Sequence, residues 1–293
     1  RTMKKLKYLL MACCAACVWL AACSDDDYEP LPDWWWEQTG EPAVYPEPEP
    51  VDNKVVAHRG CYAETGFPQN SVAGLKKAVE MKLFASECDI HLTKDGKVVV
   101  YHDDYYLGNT CFKDATYAEL CAKGTLANGE KLPTLDAYLE QGAKDASMKL
   151  ICEIKTHSSA ASNTRAVNAV VAAVKAKSME TRVDYIAFDY EVCKQLRAAM
   201  PAAGVQYLGG DKAPAEVAAD KLSGIDYQYS TVLSKKPEWV TEAHAGGIEV
   251  NAWTVNSTAD MMACIALGVD YITTDNPATL KKLLETPFVT APK

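Results

Sequence analysis

The 293-residue chain has no stripe of basic residues interleaved with aromatics, so nothing marks it as a nucleic-acid binder. Its one uncharged apolar run of any length, Tyr8 to Ala22, is too short to cross a bilayer. From Ser24 to Asn53 there is not a single basic residue against ten acidic ones. Beyond Cys23 no cysteine pair has the spacing of a zinc site. The seven cysteines there, Cys61, Cys88, Cys111, Cys121, Cys152, Cys193 and Cys264, are odd in number and widely spaced. That excludes a disulfide framework.

What is present begins with a leader. Lys4, Lys5 and Lys7 precede the apolar run, the arrangement of a signal peptide over residues 1–22. The run ends in Leu20-Ala21-Ala22-Cys23, which resembles the lipobox of a bacterial lipoprotein. The resemblance implies lipidation at Cys23 and a mature chain held by lipid at the cell envelope, outside the cytoplasm, facing the periplasm or the cell surface. Residues 23–53, acidic and carrying prolines at 30, 32, 42, 46, 48 and 50, cannot bury a core and read as an extended tether. Trp34-Trp35-Trp36 within it suits either the membrane interface or docking on the domain.

Leader and tether account for four of the 30 basic and ten of the 39 acidic residues. The remainder, 54–293, is therefore close to neutral despite a net charge of −9 overall. No internal linker divides it, and a single large domain is expected. Strand patterns fall at 54–57, 84–90, 149–154, 183–188, 204–208, 225–229, 248–253 and 269–273. Helical patterns fall near 71–81, 134–145, 162–178, 190–200, 214–221, 237–245, 257–267 and 277–285, with Asn70 or Ser71, Thr134, Ser257 and Pro277 suited to helix starts. Eight alternating units predict a TIM-like (β/α)8 barrel with a parallel sheet. Val98 to His102 follows Leu92 after a turn too short for a parallel crossover, so 87–102 is expected to form a hairpin at the C-terminal mouth. Residues of about 103–133 then become an insertion forming one wall of a pocket.

Candidate chemistry gathers at strand ends. Glu87 and Asp89 are two apart on a strand and share a face, as do Glu153 and Lys155. Alternation turns Cys88 and Cys152 the other way, into the packing between sheet and helices. Three carboxylates in one mouth repel one another unless a cation lies between them, and oxygen-only ligation favours Ca²⁺, slightly preferred, or Mg²⁺. The alternative is metal-free pairing with Arg59 and Lys155. With a divalent ion those two cations leave the mouth one positive charge in excess, which suits an anionic phosphodiester. His58 and His102 supply groups that titrate near working pH, one as base and one as acid.

His58-Arg59-Gly60, Pro68-Gln69-Asn70-Ser71, Glu87-x-Asp89, Thr93-Lys94-Asp95-Gly96, His102-Asp103, Leu132-Pro133-Thr134-Leu135, Glu153-Ile154-Lys155, Trp253-Thr254-Val255-Asn256 and Thr274-Asp275-Asn276-Pro277 stand in one order. Together they resemble the glycerophosphodiester phosphodiesterase family from Val55 to about Leu284. The resemblance implies metal-dependent hydrolysis of small-molecule glycerophosphodiesters to glycerol 3-phosphate and an alcohol. It implies His58 and His102 as the acid–base pair, and Glu87, Asp89 and Glu153 as metal ligands. Arg59, Lys155 and Asn70 become substrate or phosphate contacts, and Trp253 a cover for glycerol. In the family mechanism the glycerol 2-hydroxyl attacks phosphorus and water opens the resulting cyclic phosphate. No protein partner is implied.

Two departures bear on substrate choice: Gln69 stands where the family usually has glutamate, and Tyr105-Tyr106-Leu107-Gly108-Asn109-Thr110 replaces a pattern usually containing Leu-x-Arg-Thr. A lysophospholipid or phosphoinositide diester, or a non-catalytic binding role at the surface, are the other readings. His91 reads as a surface histidine, His244 as solvated or a helix cap, and Asp275 as a cap for the helix at Pro277; His157 is left open.

Overall fold

A computed structural model of the chain describes residues 53–285. The leader, the expected lipidation site Cys23 and the tether lie outside the described residues.

Among the described residues, eight parallel strands close into a barrel: β1 (Val55–Ala57), β2 (Ala85–Leu92), β6 (Lys149–Ile154), β7 (Val183–Ala187), β8 (Val205–Tyr207), β9 (Gly224–Gln228), β10 (Glu249–Trp253) and β11 (Tyr271–Thr274). Closure rests on β1, which pairs with β11 through Val55↔Ile272 and with β2 through Val56↔Ala85. The helices α1 (Val72–Glu80), α3 (Leu135–Gly142), α4 (Ala160–Ala176), α5 (Tyr190–Ala199), α6 (Pro214–Ala219), α7 (Glu238–Ala245), α8 (Thr258–Leu267) and α9 (Pro277–Glu285) follow the strands in turn. This is the TIM-like (β/α)8 fold. No described helix is long and apolar enough to cross a membrane.

The period-2 alternation of the strands does the sorting. Val55, Ala57, Cys88, Ile90, Cys152 and Ile154 face outward and pack with Leu75 of α1, Leu139 of α3 and Val170 of α4 in one continuous core. Each such aliphatic, once fully buried, contributes roughly 1.5–3 kcal/mol. The inward layer is thinner: Val56, Ala85, Ile151, Ile186 and Leu208 form a separate apolar cluster, and above it the inward positions turn polar.

Helix starts are set by short side chains. Ser71, Thr134 and Ser257 each accept a hydrogen bond from the backbone N–H three residues on, at 3.0, 3.3 and 3.1 Å. The last helix is capped from the far end of the chain: Glu64 accepts from the N–H groups of Ala278 and Thr279 at 2.7 and 3.1 Å. Asp275 therefore does not cap this helix.

β3 (Val98–Val100) runs antiparallel to β2 with Ile90↔Val100 and Leu92↔Val98 in register, the hairpin that the short turn required. The turn closes with Gly96 at φ +80° and its N–H donating to Thr93 O at 2.9 Å. The insertion that follows is more ordered than its composition suggests. It contains a small hairpin of β4 (Tyr105–Tyr106) and β5 (Thr110–Cys111), and α2 (Tyr117–Lys123) with a full capping box between Thr116 and Glu119. Val99, Tyr106, Phe112, Leu120 and Leu132 give it a small core of its own.

Candidate functional site

The C-terminal mouth of the barrel holds a partly open cavity of about 150 Å³. His58, Arg59, Glu87, His102, Glu153 and Lys155 line one part of it; Ile186, Phe188, Leu208, Asp226, Trp253, Thr254 and Thr273 line the rest. No residue of 103–133 is among them. The insertion packs against β3 instead of walling the cavity, with Tyr106, Phe112 and Tyr117 taken up in its own small core around Val99.

Glu87, Asp89 and Glu153 present oxygens that all lie within 4.8 Å of one another. Asp89 is the most heavily partnered. Lys155 Nζ lies 2.8 Å from Asp89 Oδ1 and 2.9 Å from Glu153 Oε1, and Arg59 Nε lies 3.6 Å from Asp89 Oδ2. Burial opposes ionisation of Asp89, but Lys155, Asn70 and Arg59 outweigh it and hold its carboxyl below the usual range. Glu87 and Glu153 go the other way. Burial and the neighbouring carboxylates raise Glu87 well above the ordinary value and push Glu153 up to about 7. Glu87 accepts from the N–H of Arg59 at 2.8 Å through one oxygen, while its other, Oε1, is buried and has no partner among the described residues. An all-oxygen set with an orphaned, buried acceptor fits a hard divalent cation.

Both imidazoles are oriented from behind. His58 Nδ1 lies 2.6 Å from Asp275 Oδ1, and His102 Nδ1 lies 2.7 Å from Asp103 Oδ1. In each, Nε2 is the ring nitrogen left for other work. Asp275 is itself fixed: Asn256 Nδ2 donates to its Oδ2 at 2.6 Å, and its own N–H donates to Asn256 Oδ1 at 2.9 Å. Burial would raise its carboxyl, but the bonds to His58, Tyr62 and Asn256 hold it below the ordinary value. Burial keeps His102 below the ordinary imidazole range, an effect that Asp89 opposes.

The HRG loop that carries His58 is tight. Arg59 and Gly60 both have positive φ, at 52° and 79°. A Cβ on Gly60 would lie 3.1 Å from the backbone carbon of Gly74 in α1, so the close approach of loop to helix requires glycine.

Comparisons with known proteins bear on this arrangement. Residues 58–279 match the model of the Glycerophosphoryl diester phosphodiesterase family. The chain belongs to this family. It is 30% identical over 244 residues to a glycerophosphodiester phosphodiesterase of Caldanaerobacter subterraneus subsp. tengcongensis, covering 78% of this chain and 97% of that protein. The crystal structure of a glycerophosphodiester phosphodiesterase from Parabacteroides distasonis is 39% identical, with a TM-score of 0.76 over 79% of this chain and 96% of that one. An Oleispira antarctica phosphodiesterase, solved with its product sn-glycerol-3-phosphate, shares the fold at 22% identity and a TM-score of 0.69, over 80% and 97% of the two chains.

As a glycerophosphoryl diester phosphodiesterase family member, the chain places His58, Arg59, Glu87, His102, Glu153, Lys155, Trp253 and Thr254 of its motifs around this cavity, and the other motif residues outside its lining. Asn70 is one of these. Its Nδ2 donates to Asp89 Oδ2 at 2.8 Å and its Oδ1 accepts from Asp89 N–H at 3.1 Å. One end of its amide is spent on the carboxylate and the other on the backbone N–H of Asp89, so Asn70 positions Asp89 and is not among the residues that line the cavity. Gln69 accepts from Arg59 Nη1 at 2.7 Å, so where the family usually has glutamate an amide meets the guanidinium without adding a negative charge to that of Asp89. His91 is buried, not superficial, stacked on Phe112 with ring centroids 4.5 Å apart. Its Nε2 lies 3.4 Å from the carbonyl oxygen of His102. His157 accepts from Leu92 N–H at 3.3 Å and stays outside the cavity. His244 pairs with Asp270 at 2.9 Å near the end of α7.

Sequence reasoning missed two residues. Asp275 was read as a helix cap, although its place next to Asn256 in space follows from the pairing of β10 with β11. Asp226 gave no signal at all in the apparently ordinary strand Gly224–Gln228.

Proposed function

We propose that the chain hydrolyses glycerophosphodiesters to glycerol 3-phosphate and an alcohol by divalent-metal-assisted His58/His102 acid–base catalysis. The observation that carries the reading is the pair of imidazoles, each with Nδ1 held by a carboxylate, lining the same cavity as Glu87, Glu153 and two cations, with Asp89 converging on those two carboxylates from just behind. Glu87, Asp89 and Glu153 would hold the ion, Ca²⁺ in preference to Mg²⁺, which would supply electrostatic stabilisation of the phosphoryl oxygens.

Arg59 and Lys155 draw the diester anion into the mouth. One imidazole takes the proton of the glycerol 2-hydroxyl through Nε2 as that oxygen attacks phosphorus. The other protonates the departing alkoxide, and the roles reverse when water opens the cyclic phosphate. Asp275 and Asp103 hold the Nδ1–H tautomer and stabilise each ring when it becomes charged. Trp253 covers the glycerol.

Release of glycerol 3-phosphate from glycerophosphocholine and glycerophosphoethanolamine tests the reaction. Replacing His58 or His102 with alanine is expected to lower turnover by about a hundredfold or more, and chelation of divalent ions to abolish it. Full activity after either change removes the reading. Phe188, 46% exposed and edge-on to Trp253 at 5.7 Å, offers an apolar surface that a lysophospholipid could also use; a panel of phosphodiesters assayed for released headgroup separates the two substrates. The lipobox resemblance at Leu20-Ala21-Ala22-Cys23 supports anchoring of the mature protein in the cell envelope through Cys23, testable by the mass of its N-terminal peptide.

A further inference from the structure

Asp226 is 1% exposed, lines the cavity and belongs to none of the groups assigned above. Its strand, β9, stands four places from β2 in either direction round the barrel, so it faces the Glu87 and Asp89 strand from across the mouth. The residues beside it form a hydrogen-bonded belt. Asn251, paired in register with Asp226, donates through Nδ2 to Thr273 Oγ1 at 2.9 Å, and the Thr273 hydroxyl donates back to Asn251 Oδ1. There the belt stops. Oδ1 of Asp226 is buried with no partner among the described residues.

An unpaired buried carboxyl oxygen is costly unless something that enters the site satisfies it. The nearby lining cannot do so: Ile186, Leu208 and Phe188 are apolar, and Trp253 spends its Nε1–H on the backbone carbonyl of Asp226 at 2.8 Å. A glycerol phosphate lying across the mouth can. With phosphate at the Arg59 and Lys155 side and the 2-hydroxyl at an imidazole, the terminal hydroxyl is the group that reaches the opposite wall.

We propose that Asp226 is a specificity-determining residue whose side chain hydrogen-bonds the terminal hydroxyl of the glycerol, selecting diesters that carry a free primary hydroxyl at that end. The assignment rests on the glycerophosphodiesterase reading above, and deepens it. Asp226 thereby fixes both faces of the glycerol subsite, with its main chain setting the indole and its side chain meeting the hydroxyl.

The test is a binding cycle on the full chain with divalent cation present, measured by calorimetry. The probes are glycerol 3-phosphate and 2-hydroxypropyl phosphate, which lacks only the terminal hydroxyl. The unaltered protein is expected to bind glycerol 3-phosphate about tenfold more tightly. Asp226→Leu should weaken glycerol 3-phosphate about tenfold and leave 2-hydroxypropyl phosphate within about twofold, so that the preference disappears. Equal binding of the two probes by the unaltered protein, equal weakening of both by the substitution, or no binding of either overturns the proposal. If the leucine variant does not fold, Asp226→Ala removes the same oxygens and is read in the same way. Both probes are phosphomonoesters, so the cycle reports on the subsite separately from turnover; absence of glycerophosphocholine hydrolysis would remove the reaction and leave the cycle to stand or fall alone.

Discussion

His58 shows how little of a residue's role is carried by its own identity. Its imidazole becomes useful because Asp275 holds Nδ1 at 2.6 Å, and Asp275 is held in turn by Asn256. Asp275→Asn keeps the shape but removes the charge that fixes the tautomer and stabilises the imidazolium. We expect kcat to fall by about a hundredfold or more with KM changed little, and a steady-state pH profile to show altered ionisation of the imidazole. An unchanged kcat would show that His58 needs no such support. His58, His102 and the carboxylates were legible in the sequence because strand alternation fixes which side chains share a face. Asp275 was not, because a carboxylate just before a helix looks like a cap until the neighbouring strand is in place.

At the scale of elements, the β2–β3 hairpin and the eight βα units follow from local rules, since turn length decides antiparallel pairing and apolar periodicity decides helix or strand. The capping of α9 does not. Glu64 and Ala278 are more than two hundred positions apart and meet only because β1 and β11 are neighbours. Glu64→Ala should cost about 1 kcal/mol, a lost N-terminal cap at an exposed site, seen as a lowered midpoint in urea with an unchanged m-value. An unchanged midpoint would mean that water replaces the cap without loss. Gly60→Ala should cost more, about 1–3 kcal/mol, because positive φ and contact with α1 act together. The insertion helix α2 carried a readable Thr116-x-x-Glu119 signal within a turn-rich segment, and composition masked it.

For the whole molecule, the carboxylate cluster links stability to pH and to metal. Glu153 is raised from an ordinary 4.5 to about 7 by burial and by Asp89. The folded protein then holds a proton that the unfolded chain has released between those values. Stability without metal should accordingly fall as pH rises through that window. A bound divalent cation, which prefers the ionised carboxylates, should reverse the trend and raise the melting temperature most above pH 7. Melting curves with Ca²⁺ and with chelator across pH 4.5–8, run beside Glu153→Gln, check both signs, because the buried and half-buried imidazoles His91, His102 and His157 contribute the opposite slope in both proteins; a metal-free Glu153→Gln protein with the same slope as the unaltered one would contradict the burial argument.

The sequence by itself determined the (β/α)8 architecture, the rim hairpin, the sorting of Cys88 and Cys152 away from Glu87, Asp89 and Glu153, and the motif residues of the family, because each depends on periodicity, turn length or local order. Only the tertiary structure decided that Asn70 serves Asp89, that Asp275 serves His58 and that Asp226 waits across the mouth with an unpaired oxygen. Those assignments depend on which strands are neighbours round a closed barrel, a relation between positions as much as 217 residues apart that no local pattern encodes.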